Sequence, residues 1–130
     1  MFGHLYAWLI YFCSYDSTVR IFDSRKMSSP ITDVEVGGGA WRVKWHPLAS
    51  RKEDLLVACM HDGFKIINYT LKETNDRVMV ADPPVVTGRY DAHTSLAYGV
   101  DWQHSLGPGG TQDLVASCSF YDHSLHLWTP

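Results

Sequence analysis

One segment occurs three times in this chain, and that repetition constrains the fold more than any other feature. It reads CSYDSTVRIFD at 13–23, ACMHDGFKIIN at 58–68 and CSFYDHSLHLW at 118–128. Each copy has a cysteine, an aspartate three or four places on, and then a short apolar-rich strand. Asp16, Asp62 and Asp122 anchor the copies, and six positions after each stands Phe22, Asn68 or Trp128. A second segment occurs twice, as Trp41-Arg42-Val43-Lys44-Trp45 and Tyr98-Gly99-Val100-Asp101-Trp102. Its alternation puts Trp41, Val43 and Trp45 on one face and Arg42 and Lys44 on the other, which is the period of a strand. Aromatic and β-branched residues favour strand over helix. A repeated unit of this size buries its apolar face by stacking on its neighbours. The chain reads as all-β.

Composition narrows the function. Eleven basic against 14 acidic residues give a formal net charge of -3, which argues against nucleic-acid binding driven by phosphate neutralisation. Cys13, Cys59 and Cys118 form no CxxC pair and leave one over. A disulfide framework is therefore not expected, and a reducing, cytoplasmic setting is. All three fall near the end of an expected buried strand, where cysteine acts as a small hydrophobe and not as a nucleophile. The opening MFGHLYAWLIYF has no basic region and no cleavage site, so it makes a poor signal peptide. It is also shorter than the roughly 20 apolar residues of a membrane span. No membrane association is expected; the segment reads as a buried strand, or as residues left from a longer chain or an imperfect gene model. Cys59, His61, Cys118, His123 and His126 follow no zinc-ligand spacing, so no metal is expected.

The copies resemble the WD repeat, whose blades run from a GH histidine through an inner strand and an S-x-D turn to a strand ending in Trp-Asp. Asp16 and Asp62 are 46 residues apart, close to the roughly 40–45 of that repeat. Asp62 and Asp122 are 60 apart, and DRVMVADPPVVTGRY supplies the loop this requires. The last blade matches best. His93, Ser117, Asp122 and Trp128 take the places of the family's hydrogen-bonded tetrad, which makes Asp122 and His93 a structural pair and not an acid–base dyad. SFYD holds one residue more than the usual turn. The middle blade has Gly37-Gly38-Gly39 for the histidine and Asn68 for the tryptophan, so it lacks the tetrad. The resemblance implies an incomplete WD-repeat β-propeller, holding about two to three blades of about seven. Its parts are an atypical segment at 1–12, the end of one blade at 13–36, a second blade at 37–80, a linker loop at 81–92 and a last blade at 93–130. Closure of a propeller removes open sheet edges, so a piece of this size is expected to need more chain.

GGGAWRVKWHP with LLVACMHDGFKIIN, and SLAYGVDW with DLVASCSFYDHSLHLW, more closely resemble the C-terminal blades of the diphthine methyl ester hydrolases, the diphthine methyltransferase family. That resemblance implies hydrolysis of the methyl ester of methylated diphthine on elongation factor 2, with no cofactor, so that a later enzyme can amidate the free carboxylate. The residues alone add little. There is no G-x-S-x-G elbow, and an ester can be attacked by activated water or by a Ser or Cys nucleophile. The catalytic candidates are His61, His46, Ser119 and His123, with Asp101 and the cysteines behind them. Blade position puts Tyr15, His61 and Tyr121, each just before its aspartate, on the face where propellers bind ligands, with Trp41 and Tyr98 beside them. His61 reads first as an exposed turn residue and second as a general base or substrate contact. His46, before Pro47, reads as a turn residue. The rival from another class is a non-catalytic WD scaffold that binds proteins; a small β-sandwich mimicking the repeat is the remaining alternative.

Overall fold

The computed structural model describes residues 8–105 and 113–130. They form an incomplete β-propeller of three antiparallel sheets side by side. The first sheet contains β1 (Leu9–Cys13), β2 (Thr18–Asp23) and β3 (Thr32–Glu35). The second is a four-stranded blade of β4 (Arg42–Trp45), β5 (Asp54–Ala58), β6 (Phe64–Asn68) and β9 (Val85–Tyr90). Between β6 and β9 the chain makes a hairpin of β7 (Leu71–Glu73) and β8 (Met79–Ala81). The third sheet orders β10 (Ala97–Trp102), β11 (Val115–Ser119) and β12 (Ser124–Trp128). One turn of 3-10 helix at Ala49–Arg51 joins β4 to β5. No helix of the described residues is long and apolar enough to cross a membrane.

Burial follows from the middle sheet being covered on both faces. Every residue of β5 is buried, so after Asp54 its sequence is a continuous apolar run and not an alternating one. Leu55, Val57 and Ile67 face the first sheet, where Val19, Ile21 and Val36 meet them. Leu56, Ala58, Phe64 and Ile66 face the third, where Val100, Trp102, Val115 and Trp128 meet them. The outer sheets alternate instead. In β2 Val19 and Ile21 are buried while Thr18, Arg20 and Phe22 are half-buried, and in β12 Leu125 and Leu127 are exposed.

The structure departs from the sequence expectations at four places. The segment read as a linker at 81–92 contains β9, the outer strand of the second sheet, in register with β6 from Phe64↔Tyr90 to Asn68↔Val85. Pro83 and Pro84 end just before it, and Val85–Tyr90 is β-branched and aromatic enough to pair at an edge. Within the atypical opening, β1 pairs along its length with β2, and its residues are half-buried or exposed, not buried; residues 1–7 lie outside the described residues. Of the three cysteines only Cys59 is buried, and Cys13 and Cys118 are exposed, because they lie in the outer sheets, which are covered on one face. Trp41 precedes β4 and is freed from its alternation. Val43 and Trp45 pack toward the first sheet, whereas the Trp41 ring turns to Tyr98 of the third.

Candidate functional site

The three aspartate turns are held at one end of the sheets by backbone bonds between neighbours. Ala40 N–H donates to Ser14 O at 3.1 Å, Val36 N–H to Ser17 O at 2.8 Å, and Ala97 N–H to Met60 O at 2.8 Å. Along this rim lie Tyr15, Trp41, His61, Tyr98 and Tyr121. Tyr15 and His61 are exposed on their turns. The other three belong to a contiguous array. Trp41 and Tyr98 have ring centroids 5.0 Å apart, Tyr98 and Phe120 are 6.0 Å apart, and Phe120 meets Tyr121 edge-on at 5.2 Å. Phe120, absent from the sequence candidates, is the link that joins Tyr121 to the other two rings. Its signal was the extra residue of SFYD, which puts two adjacent aromatics on one turn. Between these rings is a cleft of about 310 Å³ lined also by Arg42, Cys118 and Ser119.

His61 opens on a second hollow, of about 200 Å³, with Tyr90, Asp91, His93 and Ser95. Its imidazole is not grouped with Ser119 or the other candidates. His123 is exposed at the tip of the last turn with a φ of 53°, a left-handed conformation that histidine tolerates better than most residues. His46 lies at the opposite end of β4 from Trp41. Its ring accepts Leu48 N–H at Nδ1 over 3.0 Å and donates from Nε2 to Asp113 at 3.1 Å, and it lies tilted at 56° against Trp102 with centroids 4.4 Å apart. The side chain is 2% exposed, so a substrate cannot reach it without opening the fold. Burial and the nearby Arg51 hold its pKa below the usual 6.5.

Ser119, His93 and Asp122 do meet, but not as a hydrolytic triad. The indole of Trp128 donates to Ser117 Oγ at 3.0 Å, and Ser117 reaches His93 Nε2 at 2.9 Å. His93 Nδ1 lies 2.8 Å from Ser119 Oγ and 2.9 Å from Ser124 Oγ. Ser119 donates to the Asp122 carboxylate, which also takes Thr94 N–H at 3.1 Å and Ser124 N–H at 3.0 Å. An indole only donates and a carboxylate only accepts, which fixes the rest of the chain. Ser117 O–H donates to Nε2, and Nδ1–H donates to Ser119. A triad needs the serine proton on the histidine and the carboxylate on its other nitrogen. Here the serine proton goes to the carboxylate, and Asp122 lies 3.8 Å from the ring. The donors of this network hold Asp122 well below the usual carboxylate range.

The other turn aspartates are committed too. Asp16 takes Arg20 at 2.8 Å. In the middle blade, Lys65 donates to Asp62 at 2.6 Å and to Val36 O at 2.5 Å, and Arg89 donates to Asp62 at 2.5 Å. These two cations pull the Asp62 pKa down to about 2. Gly37, at a φ of +83°, runs so close that a Cβ would overlap the Asp62 carboxylate. An ion-paired clasp thus occupies the space the tetrad fills in the last blade, and Asn68 bonds Asp54 at 2.7 Å instead of completing a tetrad. Cys59, buried at the foot of the same turn, has its thiol pushed up to about 12 by burial, which makes it a poor nucleophile. Asp101 pairs with Lys44 at 3.4 Å. Among the described residues, no group of three or more His, Cys, Asp or Glu is placed to hold a metal ion.

Three sheets in series, with an interlocked rim and a tetrad in the last, define part of a β-propeller. No protein-family model matches the chain. It is 39% identical over 118 residues to a diphthine methyltransferase homolog of Dictyostelium discoideum, covering 90% of this chain and 30% of that protein. It is 44% identical over 96 residues to the diphthine methyltransferase of Homo sapiens, covering 72% and 19%, and 31% identical over 132 residues to that of Saccharomyces cerevisiae, covering 88% and 30%. Over most of its length the chain is similar in sequence to diphthine methyltransferases. It spans less than a third of the length of these relatives.

Proposed function

We propose that this chain is part of the propeller of an enzyme of diphthamide biosynthesis that hydrolyses the methyl ester of methylated diphthine on elongation factor 2 in the cytoplasm. The observation that carries the reading is the 39–44% identity to proteins named diphthine methyltransferase from an amoeba and a mammal. Within that reaction the described blades serve as a binding surface. Asp16, Asp62, Asp122, His93 and Ser119 are all occupied in ion pairs and hydrogen bonds to other side chains, while Tyr15, Trp41, Phe120 and Tyr121 stand exposed. His61 is an exposed imidazole on the rim, and it is the proposed base if one of these residues takes part in the chemistry.

The commitment of these polar groups also favours a second reading, a non-catalytic WD-repeat scaffold that presents the rim to a protein. One experiment separates the two. Cells lacking the corresponding full-length gene are analysed for the mass of the modified-histidine peptide of elongation factor 2, with and without this chain added back. An accumulated methyl ester supports the hydrolase. Clearance by this chain shows that these blades suffice, and persistence shows that further chain is required. A peptide that never accumulates the ester leaves the scaffold reading.

A further inference from the structure

We propose that Ser29 is a phosphorylation site for a proline-directed protein kinase, and that its phosphate ties the β7–β8 hairpin to the first sheet. The site lies at the end of β2 away from the aspartate turns, where the chain leaves Asp23 on its way to β3. Two backbone bonds hold this connection, Lys26 N–H to Asp23 O at 2.9 Å and Ile31 N–H to Ile21 O at 2.7 Å. Between them Met27, Ser28, Ser29 and Pro30 are exposed. A proline disfavours the helical region for the residue before it. Ser29 is thus an accessible hydroxyl biased toward the extended backbone that a kinase cleft accepts.

The groups that would receive the phosphate are already in place. Ser29 shares a cavity of about 380 Å³ with Arg25, Lys26, Asp76 and Arg77. Lys26 comes from the same connection, and Arg77 is fixed in the β7–β8 turn by its N–H bond to Thr74 O at 2.9 Å. Neither cation forms an ion pair with a described residue, whereas Arg25 is engaged by Asp23 and Glu73. A phosphoserine brings a charge of about −1.5 to −2 and three acceptor oxygens. The guanidinium fork of Arg77 suits two of those oxygens and the Lys26 ammonium the third. Asp76 opposes the phosphate from the same wall, one carboxylate against these two cations. Arg25 already bridges this connection to Glu73 of β7 at 3.2 Å, and the phosphate adds a second bridge. In the transfer, Ser29 Oγ bonds the terminal phosphorus of a nucleoside triphosphate as the bond to its bridging oxygen breaks. The diphosphate leaves, and the hydroxyl proton passes to the kinase's base. The inference rests on neither reading of the rim.

The chain is incubated with a proline-directed kinase and magnesium ATP, and its phosphopeptides are mapped by mass spectrometry. Phosphorus NMR then follows the ionisation of the phosphate, and hydrogen exchange follows the β7–β8 turn. One phosphate is expected on Ser29, and none at that position in Pro30→Ala. Its second ionisation should fall below the value of about 6 for a solvated phosphoserine. Exchange in the turn should slow about two- to fivefold, the range for an exposed ion pair. Lys26→Gln and Arg77→Gln should keep the modification and lose both effects, and Asp76→Asn should enlarge them. Phosphate on Ser28 instead, or on neither serine, overturns the proposal. So does a phosphate on Ser29 that leaves its own ionisation and the exchange of the turn unshifted. The same slowing by inorganic phosphate in Ser29→Ala would identify a site for a free anion and overturn the assignment to Ser29.

Discussion

The rings of His93 and His126 lie face to face, with centroids 3.9 Å apart and planes 16° from parallel. Burial and the neighbouring imidazole both oppose a positive charge on His93, and its pKa lies below the usual 6.5 although Asp122 works against the shift. A histidine harder to protonate folded than unfolded contributes stability above its unfolded pKa and withdraws it as pH falls through the window beneath. The urea midpoint should be level above about pH 7 and fall on acidification below about pH 6.5. His46 shifts in the same direction, so His93→Gln should keep part of the fall and lose the rest. A midpoint that rises on acidification contradicts this.

Ser117 accepts from the Trp128 indole and donates to His93 Nε2. Ser117→Ala leaves a buried indole N–H and an imidazole nitrogen without partners, at a cost of about 1–3 kcal/mol. Ser117→Thr keeps the hydroxyl and should cost less than the alanine. Chemical denaturation of both variants checks the order, and equal losses would show that the hydroxyl bonds are not what matters.

The clasp around Asp62 predicts an asymmetry. Asp62→Ala leaves the Lys65 ammonium, whose side chain is 9% exposed, bonded to the Val36 carbonyl without its carboxylate partner. Losing one member of a buried pair costs about 3–5 kcal/mol, less here because Asp62 is partly exposed. Lys65→Met removes the charge that needs burying and leaves Asp62 with Arg89, so it should be the milder change. Gly37→Ala should rival Asp62→Ala, since the added methyl requires both a left-handed backbone and displacement of the carboxylate. Melting temperatures in the reverse order would sink the account of this blade.

Tyr69 is fully buried, and its hydroxyl has no hydrogen-bond partner among the described residues. Tyr69→Phe keeps the edge contact with Trp45 at 6.2 Å while removing an unsatisfied oxygen. It should be neutral or stabilising by up to about 1 kcal/mol. A loss of stability would reveal a partner for that hydroxyl.

The strands β2, β6 and β12 were legible because copies of the first segment lie at each, and β4 and β10 because copies of the second do; repetition outweighs local ambiguity. β9 was not, since Pro83 and Pro84 drew attention to the turn before it and the β-branched run after them looked like loop. The bonds among His93, Ser117, Asp122 and Trp128 involve residues that repeat spacing singles out, whereas the Lys65–Asp62–Arg89 clasp joins residues 27 apart in sequence and has no local signature. The rim was half-legible. Blade position indicated Tyr15, His61 and Tyr121 with Trp41 and Tyr98 beside them, whereas strand alternation grouped Trp41 with Val43 and Trp45, and only the folded turn brings Phe120 between Tyr98 and Tyr121. Whether Cys13, Cys59 and Cys118 are buried depends on which sheets are covered, which no single copy of the repeat contains.

The most direct test of the proposed reaction uses elongation factor 2 carrying methylated diphthine, isolated from cells without the gene, and the full-length gene product. The modified-histidine peptide is weighed before and after incubation, and the supernatant is assayed for methanol. The account predicts loss of the mass of one CH2 with methanol released in equal amount. An unchanged peptide, or a gain of a methyl group from an added donor, would contradict it.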